Sequence, residues 1–247
     1  MIKKKFLTIF LVLIAVIIGY LWFGYANIYN RIRSGGLKTV DTQYMYIINS
    51  ENSQKIKYAA LGDSLTAGVG ADNYEESYPY LLSENLASDK EVILKDFSLL
   101  GARTEDLISK NLLKLAIEEK PDIVTVLIGV NDVRENISEK EFKNNYEYIV
   151  SELVKNDKSK IYLINIPFIG SNTLYLPPYN AYFKNKTVKF NEIIKNIAQE
   201  HSIKYIDIAT PTEKMFERDG THYAVDSFHP SKIGYKILSQ IIYENIN

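Results

Sequence analysis

The chain has 247 residues, of which 46% are hydrophobic and 24% charged, enough apolar material for a sizeable core and a length that fits one large domain or two small ones. Lys plus Arg (29) nearly balance Asp plus Glu (30), and the formal charge of -1 lacks the basic excess that a nucleic-acid footprint needs. Cysteine is absent, which excludes disulfides, thiolate nucleophiles and cysteine-ligated zinc or iron–sulfur centres.

Lys3, Lys4 and Lys5 precede an uncharged, mostly apolar run over residues 6–26, about the length of a helix that crosses a bilayer. The run exceeds an ordinary signal-peptide core, and the lysines before it belong on the cytoplasmic side, which places the remainder outside. Trp22 and Tyr25 near its far end suit an interfacial aromatic belt. The expectation is a basic cytoplasmic segment at 1–5, a transmembrane signal-anchor at 6–26, and a single-pass protein of the cell membrane with an extracytoplasmic body. Secretion after cleavage at Ala26, which has Gly24 two residues earlier, is the competing reading. Residues 27–55 carry Arg31, Arg33, Gly35, Gly36 and a polar stretch at 49–54, and read as an extracytoplasmic stalk with one short strand at 44–48.

From residue 56 apolar bursts alternate with stretches of helical period, without a fixed-period repeat, so 56–247 reads as one α/β domain. Strands are predicted at 56–61, 92–97, 123–128, 161–166 and 203–208, several of them near-continuous β-branched runs of the kind parallel strands show when both faces are covered. Helices are predicted at 78–87, 105–117, 140–154, 183–200 and 233–244. Thr104 is positioned to cap the second, with Glu105 and Asp106 in its first turn and Leu107, Ile108, Leu112 and Leu115 as its apolar side.

An open α/β sheet presents function at the carboxyl ends of its strands. Those positions hold Gly62-Asp63-Ser64-Leu65, Gly101-Ala102-Arg103, Gly129-Val130-Asn131-Asp132, the Ile166-Pro167 turn and the approach to Asp226 and His229. Ser64 at a strand-to-helix turn can expose a nucleophilic hydroxyl, although Asp63 and Ser64 also suit an ordinary capped turn. In Asp226-Ser227-Phe228-His229, a neutral imidazole can take the serine proton while the carboxylate orients its other nitrogen. Attack creates an oxyanion, and the Ser64 N–H, the Gly101 N–H and the Asn131 amide would supply three donors. Alone, Gly101 is a loop glycine and Asn131 a turn former before Asp132, whose carboxylate could brace the loop.

Taken together, these four ordered blocks resemble the GDSL/SGNH esterase–lipase family over residues 56–245. The resemblance implies a three-layer α/β/α sandwich with a five-stranded parallel sheet, the flavodoxin-like SGNH hydrolase fold, here with an N-terminal transmembrane helix. It implies serine-esterase activity without a metal or cofactor. Residue by residue it assigns Ser64 as nucleophile, His229 as base and Asp226 as its partner, with an oxyanion hole of Ser64, Gly101 and Asn131. Leu61 stands where the family frequently has Phe, and Asp96 where it often has Asn, a change that bears on loop bracing.

Thr66 breaks the G-x-S-x-G elbow of the ordinary α/β-hydrolases, and Gly68-Val69-Gly70 completes no nucleotide-binding spacing, reading instead as a flexible loop on the substrate side. His201 reads as a surface residue at a helix end; His222 could be an alternative base or join Asp226 and His229 around a metal, but the Asp226–His229 pairing favours the serine-centred set. The aromatic and proline-rich segment 167–182, with Phe168, Tyr175, Tyr179 and Tyr182, is expected to rim the pocket; Met215 and Phe216 either line an acyl pocket or seal the core. The expected activity is hydrolysis of carboxylic esters of an acylated lipid or other small acyl ester by a GDSL-type serine esterase or lipase. Alternatives are an O-acetylesterase or acyltransferase on envelope glycan, or a noncatalytic envelope-binding protein. Expected partners are the lipid or acylated glycan substrate and the membrane, without nucleic acid; the sequence does not fix an oligomeric state.

Overall fold

The computed structural model describes residues 2–34, 45–155, 158–168, 170–218 and 220–246. Gly35, Gly36 and Tyr44, assigned above to the stalk and its strand, lie outside them, as does the side chain of Phe216. Helix α1 (Ile2–Ser34) runs unbroken through the predicted anchor and into the predicted stalk. Among the described residues it is the one helix long and apolar enough to cross a membrane, a property that a signal sequence near an N-terminus shares.

The body is built on a sheet of six strands: β1 (Met45–Ile48), β2 (Lys55–Gly62), β3 (Glu91–Ser98), β4 (Ile123–Leu127), β5 (Lys160–Ile164) and β6 (Lys204–Ile206), in the order β1-β3-β2-β4-β5-β6. The five predicted strands are present and mutually parallel, in a doubly wound order that reverses beside β2. The expectation of five strands is corrected by β1, which adds antiparallel to β3 from Met45↔Lys95 to Ile48↔Val92. It is the short strand foreseen in the stalk, and it occupies backbone groups that the edge of β3 would otherwise leave unpaired.

Between and after the strands come α2 (Tyr78–Leu86), α3 (Thr104–Ser109), α4 (Leu112–Glu118), α5 (Val130–Arg134), α6 (Glu139–Val154), α7 (Tyr179–Glu200), α8 (Ala209–Arg218) and α9 (Lys232–Ile246). α2 packs on α9, while α3, α4, α6 and α7 form a contiguous group, as right-handed crossovers on opposite faces of the sheet require. Ser77 caps α2 and Ser138 caps α6, each side chain accepting a first-turn N–H. The helix predicted over 105–117 is two helices, because Asn111 adopts a left-handed conformation between them (φ 61°). Thr104 is not the cap of α3: Arg103 takes that place, its N–H bound by the Asp106 carboxylate at 2.9 Å. The core lies on both faces of the sheet, where Leu61, Val92, Leu94, Val126, Leu163, Phe142, Phe190 and Tyr235 are fully enclosed. α9 is drawn against the loop after β2 by the Tyr235 hydroxyl, which donates to the Val69 carbonyl at 2.7 Å.

Candidate active site

Gly62 ends β2 between Ser98 of β3 and Leu127 of β4, so the segments that follow these three strands leave the same sheet edge side by side. After Gly62 the chain turns at once. The Asp63 carbonyl accepts the N–H groups of Thr66 and Ala67, and the Ser64 carbonyl accepts that of Val69. This places Ser64 at the head of the turn with its side chain nearly enclosed. Gly62 is required by close approach, since a Cβ there would stand 2.4 Å from the Leu127 carbonyl oxygen and 2.0 Å from the Thr66 hydroxyl.

His229 and Asp226 come from the loop before α9. His229 Nε2 lies 2.9 Å from Ser64 Oγ, and His229 Nδ1 lies 2.6 Å from Asp226 Oδ2. Asp226 is completely buried, and its Oδ1 accepts the N–H groups of Phe228 and His229, both at 3.0 Å. Both carboxylate oxygens and His229 Nδ1 are thus committed within a three-residue spacing, which leaves Nε2 to face Ser64. The loop is seated by the 68–70 segment: a Cβ at Gly70 would lie 2.4 Å from the Pro230 carbonyl oxygen and 3.0 Å from His229 Cβ. Gly68 and Val69 are buried, so this segment is a packed support for the histidine loop and not the flexible substrate-side loop expected from its glycines.

Asn131 lies in the first turn of α5, and its amide donates one hydrogen to the Ala102 carbonyl at 2.9 Å, tying the loop after β4 to the loop after β3. Among the described residues no acceptor meets its second amide hydrogen. Gly101 has a φ of +75°, and among the described residues neither its N–H nor that of Ser64 has an acceptor. Asp132 braces the same junction as foreseen: it accepts the Thr104 hydroxyl at 2.6 Å and the Thr104 N–H at 3.0 Å. Burial raises the Asp132 carboxyl above its ordinary range, against the pull of those bonds.

Asp63 is the group beside the site whose ionisation sequence reasoning did not anticipate. Its Oδ1 accepts the Leu65 N–H at 2.9 Å, while Oδ2 is buried without a partner among the described residues. Burial pushes this carboxyl up to about 7, opposed by the Leu65 N–H and reinforced by the nearby Asp132. The hint in the sequence is its place between a strand-ending glycine and the serine, where solvent cannot reach.

His201 caps α7 and meets Glu147 at 2.6 Å, in keeping with a helix-end role. His222 belongs to a short 3-10 turn (Gly220–His222) whose carbonyl accepts the Ser231 N–H. The 167–182 segment is not an aromatic pocket rim: Tyr175 is buried against Phe183, Tyr182 bonds Asn136, Phe168 lines a lateral cavity of about 210 Å³ with Asn165 and Thr187, and Tyr179 packs on α1. Met215 is exposed on α8. Asp96 is buried at the end of β3, where its Oδ1 accepts the Ser98 N–H at 2.7 Å.

Comparison with known proteins gives a consistent result. The model of the GDSL-like Lipase/Acylhydrolase family matches residues 60–237. The spore germination lipase LipC of Bacillus licheniformis is 27% identical over 207 residues, covering 75% of this chain and 93% of that protein. Among solved structures, the lipase/acylhydrolase from Enterococcus faecalis superposes with a TM-score of 0.63 at 24% identity, over 77% of this chain and 95% of the other. The acetyl xylan esterase AlAXEase superposes with a TM-score of 0.62 at 21% identity, over 78% and 100%.

Proposed function

Because the chain belongs to the GDSL-like lipase/acylhydrolase family, and is a carboxylic ester hydrolase of that type, we propose that Ser64, His229 and Asp226 are its catalytic residues. The observation that carries this reading is the continuous bond chain from Ser64 Oγ through both ring nitrogens of His229 to a buried Asp226. Asp226 accepts the Nδ1 proton and so fixes the tautomer in which Nε2 is free to receive the serine proton. Ser64 Oγ attacks the ester carbonyl carbon as its proton passes to Nε2. The charge that develops on the carbonyl oxygen is taken by the Ser64 N–H, the Gly101 N–H and the free amide hydrogen of Asn131. Collapse expels the alcohol, which receives the proton from His229. Water then attacks the acyl-serine, gives a proton to the same nitrogen, and the acid departs with Ser64 Oγ reprotonated.

The acyl group is that of a lipid or another small acyl ester, and α1 is a signal-anchor with residues 6–26 in the bilayer, 1–5 in the cytoplasm and the hydrolase domain outside. The run of exposed apolar side chains from Phe6 to Ile18 supports the anchor. The test is turnover of p-nitrophenyl acetate, butyrate and octanoate by the full chain in detergent, beside Ser64→Ala. Turnover that disappears in the variant is expected. Equal turnover by both would refute the assignment, and a preference confined to acetate would favour a glycan O-acetylesterase over a lipase.

A further inference from the structure

The anchor helix does not end where its apolar run ends, and its last turns lie on the catalytic body. Leu21, Gly24, Ile28 and Ile32 share one face of α1, and this face turns inward: Gly24 and Ile28 are buried, and Ile32 packs against the core. A Cβ at Gly24 would stand 2.9 Å from the Tyr179 ring, and the Tyr179 hydroxyl donates to the Leu21 carbonyl at 2.9 Å. One turn on, the Asn27 amide donates to the carbonyls of Thr173 and Leu174 at 3.1 and 3.0 Å. Arg31 then reaches Thr173 Oγ1 at 3.4 Å and Ser227 Oγ at 3.0 Å. Ser227 stands between Asp226 and His229. Its carbonyl is held by the Ser171 N–H, its own N–H by Ala224, and its φ is +59°.

Lengths decide where this places the site. Phe6–Tyr20, the part of the run clear of the body, spans about 22 Å of helix axis, short of a hydrocarbon core of roughly 30 Å. The missing ~8 Å corresponds to about five residues, the turns that begin at Leu21 and are already clamped to Tyr179. Interspersed with the inward-facing residues, Trp22, Phe23 and Tyr25 remain exposed, Trp22 by 70%. For α1 to cross the bilayer, the 171–179 segment must therefore sit at its surface. Arg31 lies about 7.5 Å beyond Ala26, within the depth of a headgroup layer, and it holds the histidine loop there. The loops that carry the site also present apolar side chains outward, Val225 beside Asp226 (78% exposed) and Leu100 beside Gly101 (50%).

We propose that the last turns of α1 are a positioning clamp, which holds the catalytic loop at the surface of the bilayer that anchors the chain, and that the substrate is an acyl ester of an amphiphile in that same leaflet. This rests on the esterase and anchor readings above. Asn27 and Arg31 are positioning residues.

The experiment uses the full chain in phosphatidylglycerol–phosphatidylethanolamine vesicles. Radiolabelled lysophosphatidylglycerol is placed either in the same vesicles or in separate ones, and p-nitrophenyl butyrate is the soluble control. The wild type is expected to release fatty acid from its own vesicles about tenfold or more faster than from separate ones, through effective concentration alone. Asn27→Ala with Arg31→Ala should lower the own-vesicle rate about tenfold while changing butyrate kcat/KM by less than about twofold, which also shows that the variant is folded. Equal rates from the two vesicle populations, an unchanged own-vesicle rate in the variant, or a cellular product beginning at Asn27 would each overturn the clamp. A wild type inert toward p-nitrophenyl butyrate would overturn the esterase reading as well, an outcome distinct from the other three.

Discussion

Gly62→Ala tests whether the meeting of three strand ends sets the position of Ser64, the proposed nucleophile. The added methyl would fall 2.0 Å from Thr66 Oγ1, 2.8 Å from Thr66 Cβ and 2.4 Å from the Leu127 carbonyl oxygen. Thr66 could turn its hydroxyl away only by giving up its 3.2 Å bond to the buried Tyr78 hydroxyl, and the Leu127 carbonyl belongs to the β4 backbone and cannot rotate aside. Restoring an ordinary contact of about 3.4 Å to that oxygen therefore needs roughly 1 Å of separation between β2 and β4. Ser64, two residues on, moves with the end of β2, whereas His229 is fixed by its own loop and α9. A displacement of that size breaks the 2.9 Å bond between them and is expected to cost on the order of 100-fold in kcat/KM, with about 1–3 kcal/mol of stability. Initial rates with p-nitrophenyl butyrate and thermal unfolding of the full chain in detergent measure the two effects. Gly220→Ala, where a Cβ meets nothing within 4 Å, is the control. Undiminished kcat/KM in Gly62→Ala would refute the reasoning, because the nucleophile would then be placed independently of the strand junction.

Asn131→Ala removes one of the proposed oxyanion donors and should lower kcat by about 10²–10³ with little change in KM, read from saturation curves. Equal loss on KM would assign Asn131 to ground-state binding instead. Asp226→Asn retains the loop's shape but removes the acceptor proposed to fix the His229 tautomer, and a fall of about 10⁴ in kcat is expected by the logic of serine triads. A fall of less than tenfold would displace Asp226 from that role. Asp63→Asn addresses pH. The Asp63 carboxyl is raised from 3.8 to about 7 by burial, so the folded chain holds this proton more tightly than the unfolded one. Its stabilising contribution is complete below about pH 4 and is lost as pH rises through 7, a swing on the order of 4 kcal/mol. The variant's Tm should gain on the wild type between pH 5 and pH 8, and parallel Tm profiles would contradict the burial argument.

The strand cores were legible because β-branched runs mark strands covered on both faces, and β2 to β6 fall within two residues of the predicted bounds at every end. Elements set by single backbone events were not. Asn111 splits a continuous apolar stripe into two helices, α5 is barely one turn, and α8 begins beside Pro211, which reads locally as a turn. Ser64, Asp226 and His229 could be named from their motifs, yet the distance between serine and histidine depends on contacts such as Tyr235 with Val69 and Gly70 with Pro230, which sequence separation does not encode. The 167–182 segment misled because aromatic residues after a strand suit a pocket rim and a packed seam equally. The signal that would have distinguished them lies elsewhere in the chain. The stripe Leu21, Gly24, Ile28, Ile32 keeps helical spacing past the end of the apolar run, where a flexible stalk would have none.

The sheet ends on its two shortest strands, four residues in β1 and three in β6, although β2 and β3 inside it have eight each. On the anchored reading proposed above, the chain would meet its copies in two dimensions, where collisions are frequent and orientations are shared. Long open strand edges would there be templates for runaway edge-to-edge association. By laying β1 over the flank of β3 from Val92 to Lys95, the chain offers neighbouring copies only brief edges, too short to register a stable foreign strand, which would let an anchored chain tolerate crowding.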